Sequence, residues 1–181
     1  VLRCCDWNPQ VGQLHAHPQA TLDEIMEKER IRGQHFASLL ILRVGAAAYA
    51  WERKTADYPI AAFAGCLSLL GGNPEADETP SQALARELAE ELPPGLAHRL
   101  VRSAVKFGEF EVETGPPVRP QPVYFTAHVW HASVEAADFE VGGDIPGEGR
   151  IVTVNASQLA GEHFCWGYHL VWRNYVQAIL G

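Results

Sequence analysis

A mixed α/β or α+β domain is what this sequence predicts, and three observations carry that prediction. Short apolar runs of strand length, bounded by Gly, Pro and Asp clusters, stand on both sides of one amphipathic helical stretch. A second helical pattern closes the chain. No repeat, low-complexity tract or obvious linker divides it. The 181 residues are enough for one full hydrophobic core, and with 47% apolar and 20% charged residues the chain is too apolar to stay disordered.

Taken in order, residues 1 to 20 show no period and read as an irregular arm, in which Cys4, Cys5, His15 and His17 match no common zinc spacing. In "TLDEIMEKERIR", Thr21 and Glu24 stand as a capping box and Leu22, Ile25 and Met26 form part of an apolar stripe, predicting a short amphipathic helix. An N-terminal extension over residues 1–34 and a main domain over residues 35–181 are expected. "HFASLLILRV" and "AAAYAWERK" meet at Gly45 and predict a strand pair, followed by a polar turn from Arg53 to Pro59. "FAGCLSLL" predicts another strand running into Gly71 and Gly72, where the backbone can turn sharply. "HRLVRSAVKFGEFEVE" and "PVYFTAHVWHA" are two further β candidates joined by the Pro-rich "TGPPVRPQP". After the flexible stretch "GGDIPGEG" come a short strand, "RIVTVN", and a closing helix, "HFCWGYHLVWRNYVQAIL", that contains Gly167.

The formal charge of −8, with only three lysines, argues against a protein that grips nucleic acid through its phosphates. A small anionic substrate would need bound cations or a local group of arginines. The longest apolar run, "FASLLILRVGAAAYAW", is interrupted by Arg43 and Gly45 and is too short for a membrane span, so it reads as buried strands. The four cysteines show no paired spacing, so reduced thiols are expected. A cytoplasmic location is expected, with a removed leader left open by the start at Val1. Nothing in the sequence speaks to oligomeric state.

The most informative stretch is "RELAEELPPG", residues 86 to 95. Thr79, Pro80 and Gln82 supply a helix start, with a hydroxyl N-cap, proline at the first position and a capping-box partner. Leu84, Leu88 and Leu92, with Ala85 and Ala89, occupy one broad arc, and Glu87, Glu90 and Glu91 share the opposite side. Like charges at these spacings cost a few tenths of a kcal/mol per pair. Arg86 can pair with Glu90, leaving Glu87 and Glu91 without an obvious local cation. Two readings follow: a solvated acidic face, or a set of hard oxygen ligands for Mg²⁺ or Mn²⁺.

"GGNPEADETPSQALARELAEELP" resembles the Nudix box: Gly, five residues, Glu, seven residues, Arg-Glu, an aliphatic residue, any residue, Glu-Glu, any residue, Gly and an aliphatic residue. Gly72, Glu78, Arg86, Glu87, Leu88, Glu90 and Glu91 match at the expected spacings. The resemblance implies an α/β/α sandwich around a mixed sheet. It also implies a Mg²⁺- or Mn²⁺-dependent pyrophosphohydrolase that cleaves a nucleoside diphosphate linked to another moiety, or a related phosphoanhydride, by water attack on phosphorus. By the same motif, Glu87, Glu90 and Glu91 would be metal ligands with the carbonyl of Gly72, and Arg86 would orient the carboxylates. Glu78 would be a loop-to-helix partner or an outer ligand. Glu148, in the loop "PGEGR", is the leading candidate for a general base and reads equally as an exposed loop acid; Asp144 is the second candidate.

Three positions depart from the pattern: Pro93 replaces the box glycine, Pro94 the following aliphatic residue, and Leu70 a proline common before the Gly-Gly. Proline has no N–H and biases the residue before it away from helix, so a frayed or re-angled last turn carrying Glu90 and Glu91 is expected. That expectation motivates the alternative function, a hydrolysis-deficient nucleotide-binding or protein-interaction module. Phe107, Phe110, Tyr124, Phe125 and Trp130 are available to stack on a base but read first as core, and His128 and His131 fall on opposite faces of a strand.

Overall fold

Nine consecutive residues, Phe36–Val44, form strand β1, and almost all of them are buried. A strand apolar on both faces belongs in the middle of a sheet covered on both sides. The structure, a computed structural model, describes residues 36–114, 123–139, 143–145 and 147–179, so the arm and short helix expected at residues 1–34 lie outside the described residues. At Gly45 (φ 61) the chain reverses into β2 (Ala48–Lys54), which pairs antiparallel with β1.

Two short strands follow, β3 (Leu67–Ser68) on β2 and β4 (Leu70–Gly72) on β1. Helices α1 (Pro80–Glu91) and α2 (Pro94–Ser103) come next, then β5 (Val105–Thr114) and β6 (Val123–Val134). The chain continues through β7 (Asp144–Ile145) and β8 (Gly149–Asn155) to helix α3 (Tyr168–Ile179). Among the described residues the spatial order is β5-β6-β1-β2-β8-β7, and the parallel pairing of β1 with β6 makes the sheet mixed.

Alternation along β1 sends side chains to two separate cores. Leu40 and Leu42 pack with Leu84, Leu88, Leu96 and Leu100 under α1 and α2. On the other face Leu39 and Ile41 join Tyr49, Trp51, Val171, Trp172 and Tyr175 beneath α3. This is the α/β/α sandwich around a mixed sheet. Burying each large side chain contributes about 1.5–3 kcal/mol, and the two cores hold the helices to the sheet. No helix among the described residues is long and apolar enough to cross a membrane.

Three sequence expectations need correction. "FAGCLSLL" is not one strand: a 3-10 turn at Ala61–Phe63 precedes β3, and the chain passes from β2 to β1 across Leu69, which is fully buried. "HRLVRS" is helical, because Leu96, Ala97 and Leu100 form a buried stripe at helical spacing and Pro94 occupies the first helical position. The closing helix starts only at Tyr168, since Trp166 (φ 53) and Gly167 (φ 77) are left-handed. The Pro-rich link at residues 115–122 lies outside the described residues.

Candidate active site

The acidic helix is anchored at its start by the local chemistry its sequence implies. Thr79 Oγ1 accepts from the Gln82 N–H and Gln82 Oε1 accepts from the Thr79 N–H, forming the capping box, with Pro80 at the first helical position. Ser38 Oγ of β1 donates to the Pro80 carbonyl at 2.7 Å and ties this helix end to the sheet. The buried face of α1 is Ala83, Leu84 and Leu88, with Leu92 just beyond; Ala85 is half-buried and Ala89 exposed, so the apolar arc is narrower than its leucines and alanines suggest.

Arg86 organises the loop before the helix. Its guanidinium takes Glu78 in a two-pronged pair (Nε to Oε1 3.0 Å, Nη2 to Oε2 3.1 Å), and Nη2 also donates to the Asn73 carbonyl at 2.8 Å. Nη1 donates to Glu87 Oε1 at 2.9 Å, and both Glu90 oxygens lie at 3.5 Å. The expected Arg86–Glu90 pair is thus the long one, and Glu87 does have a local cation. Hydrogen bonding to Arg86 holds the Glu78 carboxyl below the usual range, and Glu78 in turn holds the Arg86 guanidinium more firmly charged.

The two glycines before this loop set where the other carboxylates lie. Gly71 has φ 102, and a side chain there would place Cβ 2.1 Å from the Ser38 carbonyl oxygen. Its N–H donates to Glu91 Oε2 at 2.9 Å. The Glu87 carboxylate lies directly against Gly72, where a Cβ would fall 2.7–2.9 Å from all three of its atoms. Burial pushes the Glu91 carboxyl up to about 8, the Gly71 N–H partly opposing and Glu52 and Glu87 adding to the rise. Burial raises Glu87 as well, against the hydrogen bond from Arg86. Glu90 is mostly exposed.

The prolines do not fray this helix. Its ladder closes with the Leu92 N–H on the Leu88 carbonyl at 3.1 Å, and both Glu90 and Glu91 stand within the helical residues. Leu92 is extended (φ −124, ψ 155), as a residue before proline prefers. Pro93 then serves as the N-cap of α2, its carbonyl accepting from the Leu96 and Ala97 N–H groups at 2.9 and 3.0 Å. The expectation of a re-angled last turn is therefore corrected: the proline pair starts a second helix one residue after the first has ended.

Glu148 reaches this region from the turn before β8. Its Oε2 lies 3.1 Å from Lys54 Nζ, which also donates to Glu52 at 2.7 Å. Glu52 and Lys54 are buried side by side on the α1 face of β2, and sequence reading singled out neither for the site. The available signal was alternation: Ala50, Glu52 and Lys54 share one strand face whose first member is core, so two opposite charges at that spacing imply an inward ion pair. Burial raises the Glu52 carboxyl, with Lys54 opposing. Burial also pulls the Lys54 ammonium down, but the hydrogen bond and charge of Glu52, together with the hydrogen bond to Glu148, more than offset this and leave it above the ordinary value. Asp144, the second candidate, is exposed on strand β7 opposite Arg150.

The structure thus gathers Glu87, Glu91 and Gly72 at the end of β4 and brings Glu148 in through Lys54, while Glu90 faces outward. Among the described residues no three His, Cys, Asp or Glu side chains meet around one point. His128 packs against Phe36 and lies 3.2 Å from Glu109, whereas His131 packs on Tyr175 of α3, so the two histidines do occupy opposite faces. Phe110 belongs to the core beneath α3, with Phe107 and Phe125 packed partly against it, Trp130 packs partly against the core under α1 and α2, and Tyr124 is exposed.

No protein-family model matches the sequence, and no curated protein is significantly similar to it. Solved structures are similar. The Nudix domain of Shewanella oneidensis NrtR, complexed with ADP ribose, is 13% identical, and the match covers 90% of this chain and all of that one (100%) with a TM-score of 0.59. The E. coli dihydroneopterin triphosphate pyrophosphohydrolase is 16% identical, over 79% of this chain and 95% of that one, with a TM-score of 0.57. RenU, a Nudix hydrolase from M. smegmatis, is 21% identical, over 80% and 85%, with a TM-score of 0.54. With the strand order, the two helical layers and the loop-helix at Gly72 to Glu91 already in place, these likenesses settle the architecture: the chain has the Nudix fold.

Proposed function

We propose that this chain is a Mg²⁺- or Mn²⁺-dependent pyrophosphohydrolase, acting on a nucleoside diphosphate linked to another moiety or on a related phosphoanhydride. The observation that carries the reading is the excess of carboxylates at one sheet end. Glu52, Glu87, Glu91 and Glu148 affect one another electrostatically, with Arg86 and Lys54 as the cations among them. Glu52, Glu87 and Glu91, hard oxygen donors that burial and neighbouring carboxylates push toward protonation, suit a hard divalent cation. Glu87, Glu90, Glu91 and the Gly72 carbonyl are the residues that would hold it. Bound there, it would neutralise the phosphate oxygens and lower the pKa of the attacking water.

The chain's own residues supply the rest. Arg86 locks the Gly72–Thr79 loop to the helix and steers the Glu87 carboxylate. Glu148, about half exposed (55%) on its turn, can face a bound substrate and take a proton from water attacking phosphorus. The Lys54 and Arg86 charges, with the two glycines that let backbone and carboxylate approach closely, offset part of the repulsion an anionic substrate would meet.

The test is phosphate or nucleotide release from ADP-ribose, nucleotide sugars, dinucleotides, nucleoside triphosphates and inositol pyrophosphates in Mg²⁺ or Mn²⁺, with Glu91→Gln as control. ADP-ribose belongs in the panel because a protein of similar fold is complexed with it. Turnover lost in the variant supports the reading, and equal turnover in both proteins overturns the assignment of the box. Ligand-induced thermal stabilisation without turnover would point instead to a binding module.

A further inference from the structure

Lys54 is a cation in an unusual place. Its side chain is 4% exposed and Glu52, its neighbour two residues back on the same strand face, is 2% exposed. A buried lysine is retained only where it is paired, and here its pairing runs in two directions. One bond goes to buried Glu52 at 2.7 Å and the other to solvent-facing Glu148 at 3.1 Å, while Nζ also lies 4.6 Å from the centre of the Tyr58 ring. The backbone around Glu148 is drawn to the same point. The Thr55 N–H donates to the Glu148 carbonyl at 3.1 Å, and Gly149 packs so closely that a Cβ would sit 2.5 Å from the Arg53 carbonyl oxygen and 2.6 Å from Glu52 Oε1.

Each part of this arrangement has the same consequence. Glu52 is rigid because it is buried in the strand, Lys54 is rigid because Glu52 and Tyr58 hold it, and Glu148 is a loop residue whose carboxylate ends on Lys54. We infer that Lys54 is a positioning residue for the reaction, a buried ammonium that fixes the Glu148 carboxylate at the end of β2 and so turns a surface-loop acid into a preorganised group. The inference rests on the hydrolase reading for its kinetic consequence, but not for its structural one. A loop carboxylate left to itself samples many rotamers, and a misplacement of about 1 Å can reduce a rate by about 100-fold.

The experiment compares wild type, Lys54→Met, Glu148→Gln and the double variant. Glu52→Gln/Lys54→Met serves as the background if Lys54→Met alone does not fold, since it removes the buried charge pair together. Thermal unfolding confirms that each protein is folded. Loss of Lys54 is expected to lower kcat by about tenfold or more with KM changed less than about twofold, and the double variant should be no slower than Glu148→Gln, because both changes remove one function. Multiplicative losses, or a change in KM alone, would overturn the inference.

A second readout needs no turnover. In metal-free protein, amide hydrogen exchange of Thr55 and Glu148 should quicken by about tenfold in the Lys54 variant, with exchange in β1 unchanged. Unchanged exchange at those two amides would also overturn the inference. A wild type that hydrolyses nothing, yet shows the exchange effect, would overturn the hydrolase reading and leave the Lys54 clamp standing.

Discussion

Glu91→Gln is the most discriminating single change, because the Glu91 carboxyl is pushed up to about 8 from an ordinary carboxylate value of 4.5. In the metal-free protein this group stays protonated at about pH 6 when folded but is ionised when unfolded. Stability is therefore lost as pH rises from the unfolded value through the folded one, and the loss is complete once the pH exceeds about 8. Each pH unit crossed in that window removes about 1.4 kcal/mol, so wild type should lose about 3 kcal/mol between about pH 6 and about pH 9. That is an upper value, since relaxation and water entry lower the cost of a buried carboxylate. For a domain of this size it corresponds to a Tm drop of roughly 6–12 °C. Glutamine keeps an acceptor for the Gly71 N–H and cannot ionise, so the variant should lack this component. The assay is Tm against pH for both proteins in chelator, read as their difference. Mn²⁺ added at about pH 9 should then raise the wild-type Tm more than the variant's. Parallel profiles in chelator would refute the argument that burial dominates at Glu91.

Three further substitutions probe the same end of the sheet. Gly72→Ala should displace the Glu87 carboxylate, whose atoms lie 2.7–2.9 Å from the new Cβ, costing about 1 kcal/mol or less in urea unfolding because a side-chain end can move, but lowering kcat about tenfold or more. Gly71→Ala meets the Ser38 backbone at 2.1 Å and a φ of 102, so its loss should exceed about 3 kcal/mol, visible as a collapsed urea midpoint or insoluble protein. Pro93→Gly, which restores the box pattern, should leave kcat unchanged and cost about 0.4–1 kcal/mol by chemical denaturation, because the proline already has the φ (−53) its capping position needs.

The helix and its cap were readable from local sequence because capping boxes, proline at the first helical position and leucine spacing are short-range physics. The same holds for β1, β2, β6 and β8, whose apolar runs and turn signals are confined to a few residues. α2 reads as strand in the sequence since a ten-residue helix beginning with Pro-Gly offers a weak start signal and carries a valine, Val101, near its end, and only the core beneath it decides the matter. The effect of Pro93 is hidden from the sequence for a related reason. Proline ends one helix and starts another with equal ease, and which it does depends on where the following chain packs.

By itself the sequence determined the acidic helix, its glycine loop and the pairing of Arg86 with a carboxylate, since these lie within about twenty residues and follow from helical spacing. Only the tertiary structure decided which carboxylates are buried, that Glu91 turns to the Gly71 N–H, that Glu90 faces water, and that a lysine from β2 reaches a glutamate 94 residues away. The physical reason is that desolvation and ion pairing depend on what the sheet brings alongside a residue, and a linear pattern carries its own periodicity but not the identity of that neighbour.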